Sequence, residues 1–319
     1  MPPQTPTLFE GPEKKVELVV RDGSRPLRAY GDAHWRSVVE ASRASILSTM
    51  RSDECDAYLL SESSLFVWDD RLIMLTCGRT RLVDGVEEIL RTLPDEEIAM
   101  LVYERKNEHF PEEQPTTFVD DARRLDAHLG GGAFVFGEPD AHRVFLFHSM
   151  GDYRPAGDDT TLEVLMHGIH PRWAERLRPS ERPEGSAMAA ALGIDRLIPG
   201  FEIDEHIFDP LGYSLNAIRG QHYFTIHATP QQVGSYVSFE TNVDFRAAPS
   251  LIPRRVVELF EPTSFDIVSF APGSEQPSFE IPGYRLRQHV EQAVAGYQVG
   301  FRQFYRPPRG PEAALVLDL

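Results

Sequence analysis

The stretch Tyr58-Leu-Leu-Ser-Glu-Ser-Ser-Leu-Phe-Val67 constrains the fold more than any other. Two short apolar runs, Tyr58 to Leu60 and Leu65 to Val67, read as strands, and the polar Ser61, Glu62, Ser63 and Ser64 between them read as a tight turn. Strands joined by so short a turn pair antiparallel. Similar strands recur at Lys15 to Arg21, Arg71 to Cys77, Glu97 to Glu104, Gly132 to Phe136, Arg143 to His148 and Thr161 to Met166. Others fall near Ser214, Tyr223 and Tyr236, and at Phe265 to Phe270, Tyr284 to Val290 and Gly296 to Tyr305. Helical spacing of apolar residues predicts helices at His34 to Met50, Thr80 to Leu93, Phe118 to Leu129, Ser186 to Leu192 and Pro253 to Phe260. Helices and strands in mixed order, with hairpin signals, point to an α+β fold on antiparallel sheets rather than a doubly wound parallel one. Arg178 to Gly185 reads as a surface loop rich in Pro, Glu and Arg, and the tail from Pro307 as loose.

The chain has 319 residues, of which 41% are hydrophobic, enough for a sizeable core. The net charge of -17 argues against nucleic acid as a partner, because few cations are spare to neutralise phosphates, and suits a cationic small molecule. Two cysteines, Cys55 and Cys77, give no disulfide framework, so a reducing, cytoplasmic setting is expected. No run of about 18 apolar residues is present to cross a membrane, and Met1 to Thr7 lacks the apolar stretch of a signal peptide.

The Ser61–Ser64 turn also has a chemical reading. In a strained Glu-Ser peptide bond, the Ser63 hydroxyl attacks the Glu62 carbonyl carbon and the amide becomes an ester. Loss of the Ser63 α-proton then expels the Glu62 carboxylate, and the dehydroalanine left behind hydrolyses to a pyruvoyl group at a new N-terminus. Such a carbonyl forms a Schiff base with a substrate amine and acts as an electron sink.

The surrounding words favour this reading. Phe9-Glu-Gly-Pro-Glu-Lys14, Leu60-Ser-Glu-Ser-Ser64, Leu75-Thr-Cys-Gly78, Leu197-Ile-Pro-Gly200, Gly212-Tyr-Ser214, Thr225-Ile-His227 and Tyr236-Val-Ser-Phe-Glu-Thr-Asn242 occur in that order. Together they resemble the eukaryotic-type, pyruvoyl-dependent S-adenosylmethionine decarboxylase family over nearly the whole chain, from Leu8 to Phe304. The resemblance implies a four-layer α/β/β/α sandwich of two antiparallel sheets, forming one domain cleaved into residues 1–62 and 63–319. It implies a self-processing proenzyme, a lyase that makes decarboxylated S-adenosylmethionine for spermidine synthesis. The cofactor would be a covalent pyruvoyl group generated from Ser63. The two chains would form a monomer or a homodimer.

It also implies roles. Cys77 would return a proton to the substrate α-carbon, since a thiol of ordinary pKa near 8.5 is protonated at neutral pH. Ser214 would support the acyl-shift intermediate, and His227 would take the Ser63 α-proton. Phe9 and Phe208 would sandwich adenine. Glu10 and Glu13 would be acidic active-site groups near the sulfonium, with Glu62 and the Leu60 backbone lining the pocket. A second acidic set, Glu17, Asp159, Glu163 and Glu240 with Thr161, would bind the activating diamine putrescine. Two positions depart from the pattern. Gln231 stands where the family has a ribose-binding glutamate, and Leu75 stands where a lysine links the diamine site to the active site.

Other signals are weaker. His167-Gly-Ile-His170 lacks an acidic or Cys partner at a recognisable spacing, so no metal is expected. Gly130-Gly-Gly132 precedes a strand rather than a helix and is no dinucleotide fingerprint. Arg302, Arg306 and Arg309 read as an exposed basic end. The rival functions are a related pyruvoyl decarboxylase of altered substrate, a weakly catalytic paralogue that activates a partner, and a hydrolase using Ser214, His227 and Asp209.

Overall fold

The structure, a computed structural model, describes residues 13–106, 114–139, 141–177, 187–209, 212–230, 234–308 and 310. Phe9, Glu10, Gln231, Arg309, the Arg178 to Gly185 loop and most of the tail lie outside the described residues.

The first half forms one antiparallel sheet. Its strands are β1 (Glu13–Val20), β2 (Ile46–Arg51), β3 (Asp56–Leu60), β4 (Ser63–Val67), β5 (Arg71–Thr76), β6 (Ile98–Lys106), β7 (Gly131–Phe136) and β8 (Val144–Ser149), in the order β2-β3-β4-β5-β1-β6-β8-β7. The second half forms another. Its strands are β9 (Thr161–His167), β10 (Glu202–Ile207), β11 (Tyr213–Arg219), β12 (His222–Thr229), β13 (Tyr236–Thr241), β14 (Ser264–Pro272), β15 (Arg285–Val294) and β16 (Tyr297–Tyr305), in the order β10-β11-β12-β13-β9-β14-β16-β15. The two orders are the same pattern, the second displaced by one full set of strands. The chain is thus a duplication in space that no repeat in its sequence reveals.

Alternation along β1 explains the layers. Val16, Leu18 and Val20 point outward to α1 (Asp32–Ala41), α2 (Leu82–Leu90) and α3 (Phe118–Leu129), packing with Trp35, Val38, Val86, Ile89 and Leu125. Val19, on the other face, joins Met100 and Val102 against Leu165, Val268, Val299 and Phe301 of the second sheet. The second sheet covers its own outer face with α4 (Arg172–Arg176), α5 (Met188–Leu192) and α6 (Leu251–Phe260), through Trp173, Met188, Val256 and Phe260. Two sheets face to face between helix layers form the four-layer sandwich expected. Strands covered on both sides are buried at every residue, as β1 and β6 are.

Two expectations need correction. The helix predicted over His34 to Met50 ends at Ala41; Arg43 turns at φ 64°, and Ile46–Arg51 is strand β2, paired with β3. Short apolar runs fit either period, and the pairing partner decides. Arg302 is not an exposed basic end: it is 4% exposed, pairs with Glu291 at 3.3 Å, and lies over the Phe279 ring. The edge strand β10, Glu-Ile-Asp-Glu-His-Ile, escaped prediction because its charges mask the alternation, a common property of edges.

Candidate active site

The β3–β4 turn holds Ser61 and Glu62, with Leu60 paired to Ser63. Two-residue hairpins favour a positive φ at their first central residue, usually a glycine or asparagine. Ser61 and Glu62 do not take it, and Ser63 sits instead at φ 138°, a region that costs a side-chain-bearing residue about 1–3 kcal/mol. Ser63 is 1% exposed, and its Oγ has no hydrogen-bond partner among the described residues. A buried, unpaired hydroxyl on a strained residue beside a peptide carbonyl is the arrangement an acyl shift requires, so the residues fit a pyruvoyl precursor.

The Glu62 carbonyl is held from the β5 side. Cys77 donates its backbone N–H to Glu62 O at 2.9 Å and its thiol to the same oxygen at 3.4 Å. An N–H and an S–H on one carbonyl oxygen form a donor pair where negative charge would develop. Loss of solvent pushes the Cys77 thiol pKa well above its usual range, and the Glu62 and Glu13 carboxylates add to the shift, so the thiol keeps its proton at neutral pH. Burial likewise raises Glu62, with Lys14 opposing.

Across the sheet interface, β11 and β12 place Ser214 opposite His227. His227 Nδ1 lies 3.0 Å from Ser214 Oγ, and its Nε2 lies 3.1 Å from Ser64 Oγ and 2.9 Å from Thr225 Oγ1. The surrounding bonds assign the tautomer. Asn216 donates Nδ2 to Tyr58 O at 3.0 Å, so its Oδ1 faces Ser64 and accepts that hydroxyl at 2.5 Å. Thr225 gives its hydroxyl hydrogen to Leu215 O at 2.8 Å. Both hydroxyls have spent their hydrogens, so both accept from Nε2–H. Nδ1 is therefore the unprotonated nitrogen, and Ser214 donates to it. Burial lowers the His227 pKa to about 4, and the ring is neutral over the physiological range. Among the described residues His227 hydrogen-bonds only to hydroxyls, and Asp209 is exposed, so no Ser-His-acid arrangement of a hydrolase forms among them.

The remaining expected residues are placed as follows. Glu13 is buried between the sheets, 3.0 Å from Lys106 Nζ, and accepts from Ser238 Oγ. Phe208 packs edge-on to His206. The second acidic set divides in two. Glu163 and Glu240 face each other across β9 and β13, with Lys15 Nζ at 2.8 and 3.1 Å, and Lys106 Nζ lies 2.7 Å from Glu163. Arg71 takes the other part, 2.8 Å from Asp159 and 3.4 Å from Glu17, while Tyr153 and Tyr297 donate to Asp159. Thr161 begins β9 and is buried. Leu75 lies in an apolar cluster with Phe66, Ile73 and Tyr223.

These buried charges answer to one another. Burial opposes ionisation of Glu163, yet Lys106 and Lys15 hold it down at about 2. Burial opposes the charge on Lys15 as well, and Glu163 and Glu240 hold its pKa above the usual range. The Glu104 carboxylate has no hydrogen bond among the described residues, and burial with repulsion from Glu163 raises it to about 8. Burial raises Glu240 to about 7. Sequence reasoning missed Ser64, Asn216 and Thr225, and the charges Lys15, Arg71, Glu104 and Lys106. The signal for the first group was spacing: Ser214 with Asn216, and Thr225 with His227, are i,i+2 pairs on one strand face. For the second, it was Lys15 and Glu17 inside an otherwise apolar strand.

Residues 6–306 match the adenosylmethionine decarboxylase family profile. The S-adenosylmethionine decarboxylase proenzyme of Leishmania donovani is 35% identical over 283 residues, covering 82% of this chain and 73% of that one. The proenzyme of Dictyostelium discoideum is 30% identical over 322 residues, covering 92% and 83%. A crystal structure of a Trypanosoma brucei AdoMetDC monomer has a TM-score of 0.58 at 22% identity, over 76% of this chain and 99% of that one, which bears on the fold. Matched in sequence over almost its whole length, the chain belongs to the adenosylmethionine decarboxylase family, a family of carboxy-lyases.

Proposed function

We propose that the protein cleaves itself between Glu62 and Ser63 and then decarboxylates S-adenosylmethionine, supplying the aminopropyl donor for spermidine synthesis. The observation that carries this reading is Ser63: buried, at φ 138°, with an unpaired Oγ beside a carbonyl that two Cys77 donors hold. The hydroxyl attacks the Glu62 carbonyl carbon, and the Cys77 N–H and S–H stabilise the oxygen. His227, unprotonated at Nδ1 and carrying Ser214, is the base for the proton that leaves Ser63. Elimination frees the Glu62 carboxylate as the new C-terminus of residues 1–62, and hydrolysis releases ammonia. The pyruvoyl carbonyl then serves as an electron sink for loss of the substrate carboxylate.

The residues of the chain do the rest. The Cys77 thiol, protonated throughout the neutral range, holds the proton that replaces carbon dioxide. Phe208 offers a face for the adenine ring, with Phe9 as its expected partner. Glu13 brings negative charge toward a sulfonium.

The diamine question takes a different turn. Lys15 sits between Glu163 and Glu240, and Arg71 between Glu17 and Asp159, so the chain supplies its own cations to the acidic set. Leu75 offers no charge to relay a signal. We infer that turnover proceeds without putrescine. Release of carbon dioxide from carboxyl-labelled S-adenosylmethionine, by wild type and by Ser63→Ala, tests the main reading. Wild type should release label and Ser63→Ala should not; release by both would remove Ser63 from the chemistry.

A further inference from the structure

His167 does not partner His170, whose Nδ1 instead accepts from the Arg172 N–H. It converges with two residues remote in sequence, His142 from the β7–β8 connection and Asp266 on β14. We propose that His142, His167 and Asp266 form a binding site for a divalent transition metal of the zinc class, which ties the first sheet to the second.

The geometry is that of a ligand set. His142 Nδ1 lies 3.2 Å and His167 Nε2 3.6 Å from the same Asp266 Oδ2, and the three donor atoms lie within 4.8 Å of one another. A tetrahedral ion with bonds of about 2.0–2.2 Å spaces its donors at about 3.3–3.5 Å. Asp266 is fully buried, and the groups that face its Oδ2 are the His142 and His167 imidazoles. A buried carboxylate calls for a cation beside it. The carboxylate is also oriented: Gln303 donates to Oδ1 at 3.3 Å, leaving Oδ2 to face the imidazoles. Outer partners of this kind fix metal-binding carboxylates.

Protons alone serve the cluster poorly. The two imidazole rings stand 3.6 Å apart, centroid to centroid, at 32°. Two imidazolium rings at that separation would repel. A metal uses both rings in their neutral form together with the carboxylate. Two imidazoles and one carboxylate suit zinc, cobalt or ferrous iron, rather than calcium or magnesium, which prefer oxygen. The site shares no residue with Ser63, Cys77 and His227, so the decarboxylase reading stands or falls without it. Its effect is mechanical. His142 belongs to the first half, and His167 and Asp266 to adjacent strands of the second, so a bound ion cross-links the sandwich near its β7 edge.

The test uses the full-length processed protein, free of any affinity tag and stripped with chelator. Titration with Co(II) should give visible ligand-field bands that saturate at about one equivalent per chain, Zn(II) should displace them, and either ion should raise the melting temperature. His142→Ala, on a surface connection, should weaken Co(II) binding by at least about tenfold. His170→Ala and Cys77→Ser should bind as wild type does. Asp266→Asn, which keeps the shape and removes the charge, decides the matter if His142→Ala does not fold. No saturable Co(II) binding at submillimolar metal, or binding that survives both variants, would overturn the site.

Discussion

The turn joining β3 to β4 and the turn joining β11 to β12 occupy the same place in two sheets of the same strand order, and their backbones differ. Each has two central residues: Ser61 and Glu62 between Leu60 and Ser63, and Gly220 and Gln221 between Arg219 and His222. Gly220 takes φ 58°, the positive value that a two-residue hairpin favours, at little steric cost. The first turn has no glycine there, and its misfit falls on Ser63 at φ 138°. The second central carbonyl is anchored in both. Cys77 binds Glu62 O, and Asn242, which follows β13 as Cys77 follows β5, binds Gln221 O through its side chain at 3.0 Å. The same scaffold thus makes a relaxed turn in one half and a strained one, fitted with donors, in the other. The second half brings His227 up to Ser64, the residue after the strained one.

The largest test of this difference is Cys77. Replacing it with Ala keeps the N–H on Glu62 O, so self-cleavage should persist, but the protonated thiol is lost. Turnover should fall by roughly 10²–10⁴-fold, or about 3–5 kcal/mol of barrier, measured as steady-state carbon dioxide release. Unchanged turnover would remove the thiol from proton return.

The charged layer between the sheets gives the next effect. Glu163→Gln leaves Lys15 and Lys106 short of their shared partner and should destabilise by about 3–5 kcal/mol in denaturant unfolding. Glu104→Gln should do the opposite at alkaline pH. The folded-state pKa of Glu104, about 8, is above that of an unfolded carboxyl. Between the two values the unfolded chain binds fewer protons, so this residue erodes stability as pH rises toward 8. The Gln variant should show a flatter fall over that range, and an identical pH profile would contradict the placement of Glu104.

Much of this was legible in advance, and the reasons divide by physics. Hairpin strands and four of the helices follow from periodicity within a few residues. At the α3 start the structure adds a capping box, in which the Thr117 side chain accepts from the Asp120 N–H. Ser63, Cys77, Ser214 and His227 were singled out by the family resemblance of the words around them; alone, Cys77 and His227 read as ordinary packed residues. The duplication was not legible, because it lies in strand order and not in side chains. Lys15 and Lys106 were not, because a lysine in a strand is usually at the surface. Only the pairing of β1 and β6 opposite β9 and β13 brings these charges together. Ser64 read as part of the turn, which the structure narrows to Ser61 and Glu62, and Asn216 and Thr225 looked like ordinary strand polars until Asn216, held by Tyr58 O, set the His227 tautomer.

The turns themselves can be exchanged in character. Ser61→Gly lets the first turn adopt a positive φ and relieves Ser63; self-cleavage, followed on denaturing gels, should slow by about tenfold, about 1.4 kcal/mol of the strain. Gly220→Ser should destabilise the second turn by about 1 kcal/mol without cleaving it, since its φ of 58° is strained for a residue with a side chain. An unchanged cleavage rate in Ser61→Gly would mean that strain at Ser63 does not drive the reaction. The smallest effect concerns the diamine: at saturating substrate, millimolar putrescine should change turnover by less than about twofold, about 0.4 kcal/mol. A several-fold stimulation would show that Lys15 and Arg71 do not fill the role.

Intact mass spectrometry of the purified protein tests self-cleavage at the strained turn most directly. The account predicts two chains, residues 1–62 and 63–319, the longer one blocked by a pyruvoyl group, and a single uncleaved chain for Ser63→Ala. A wild-type preparation that releases carbon dioxide from S-adenosylmethionine while showing only the intact 319-residue mass would contradict it.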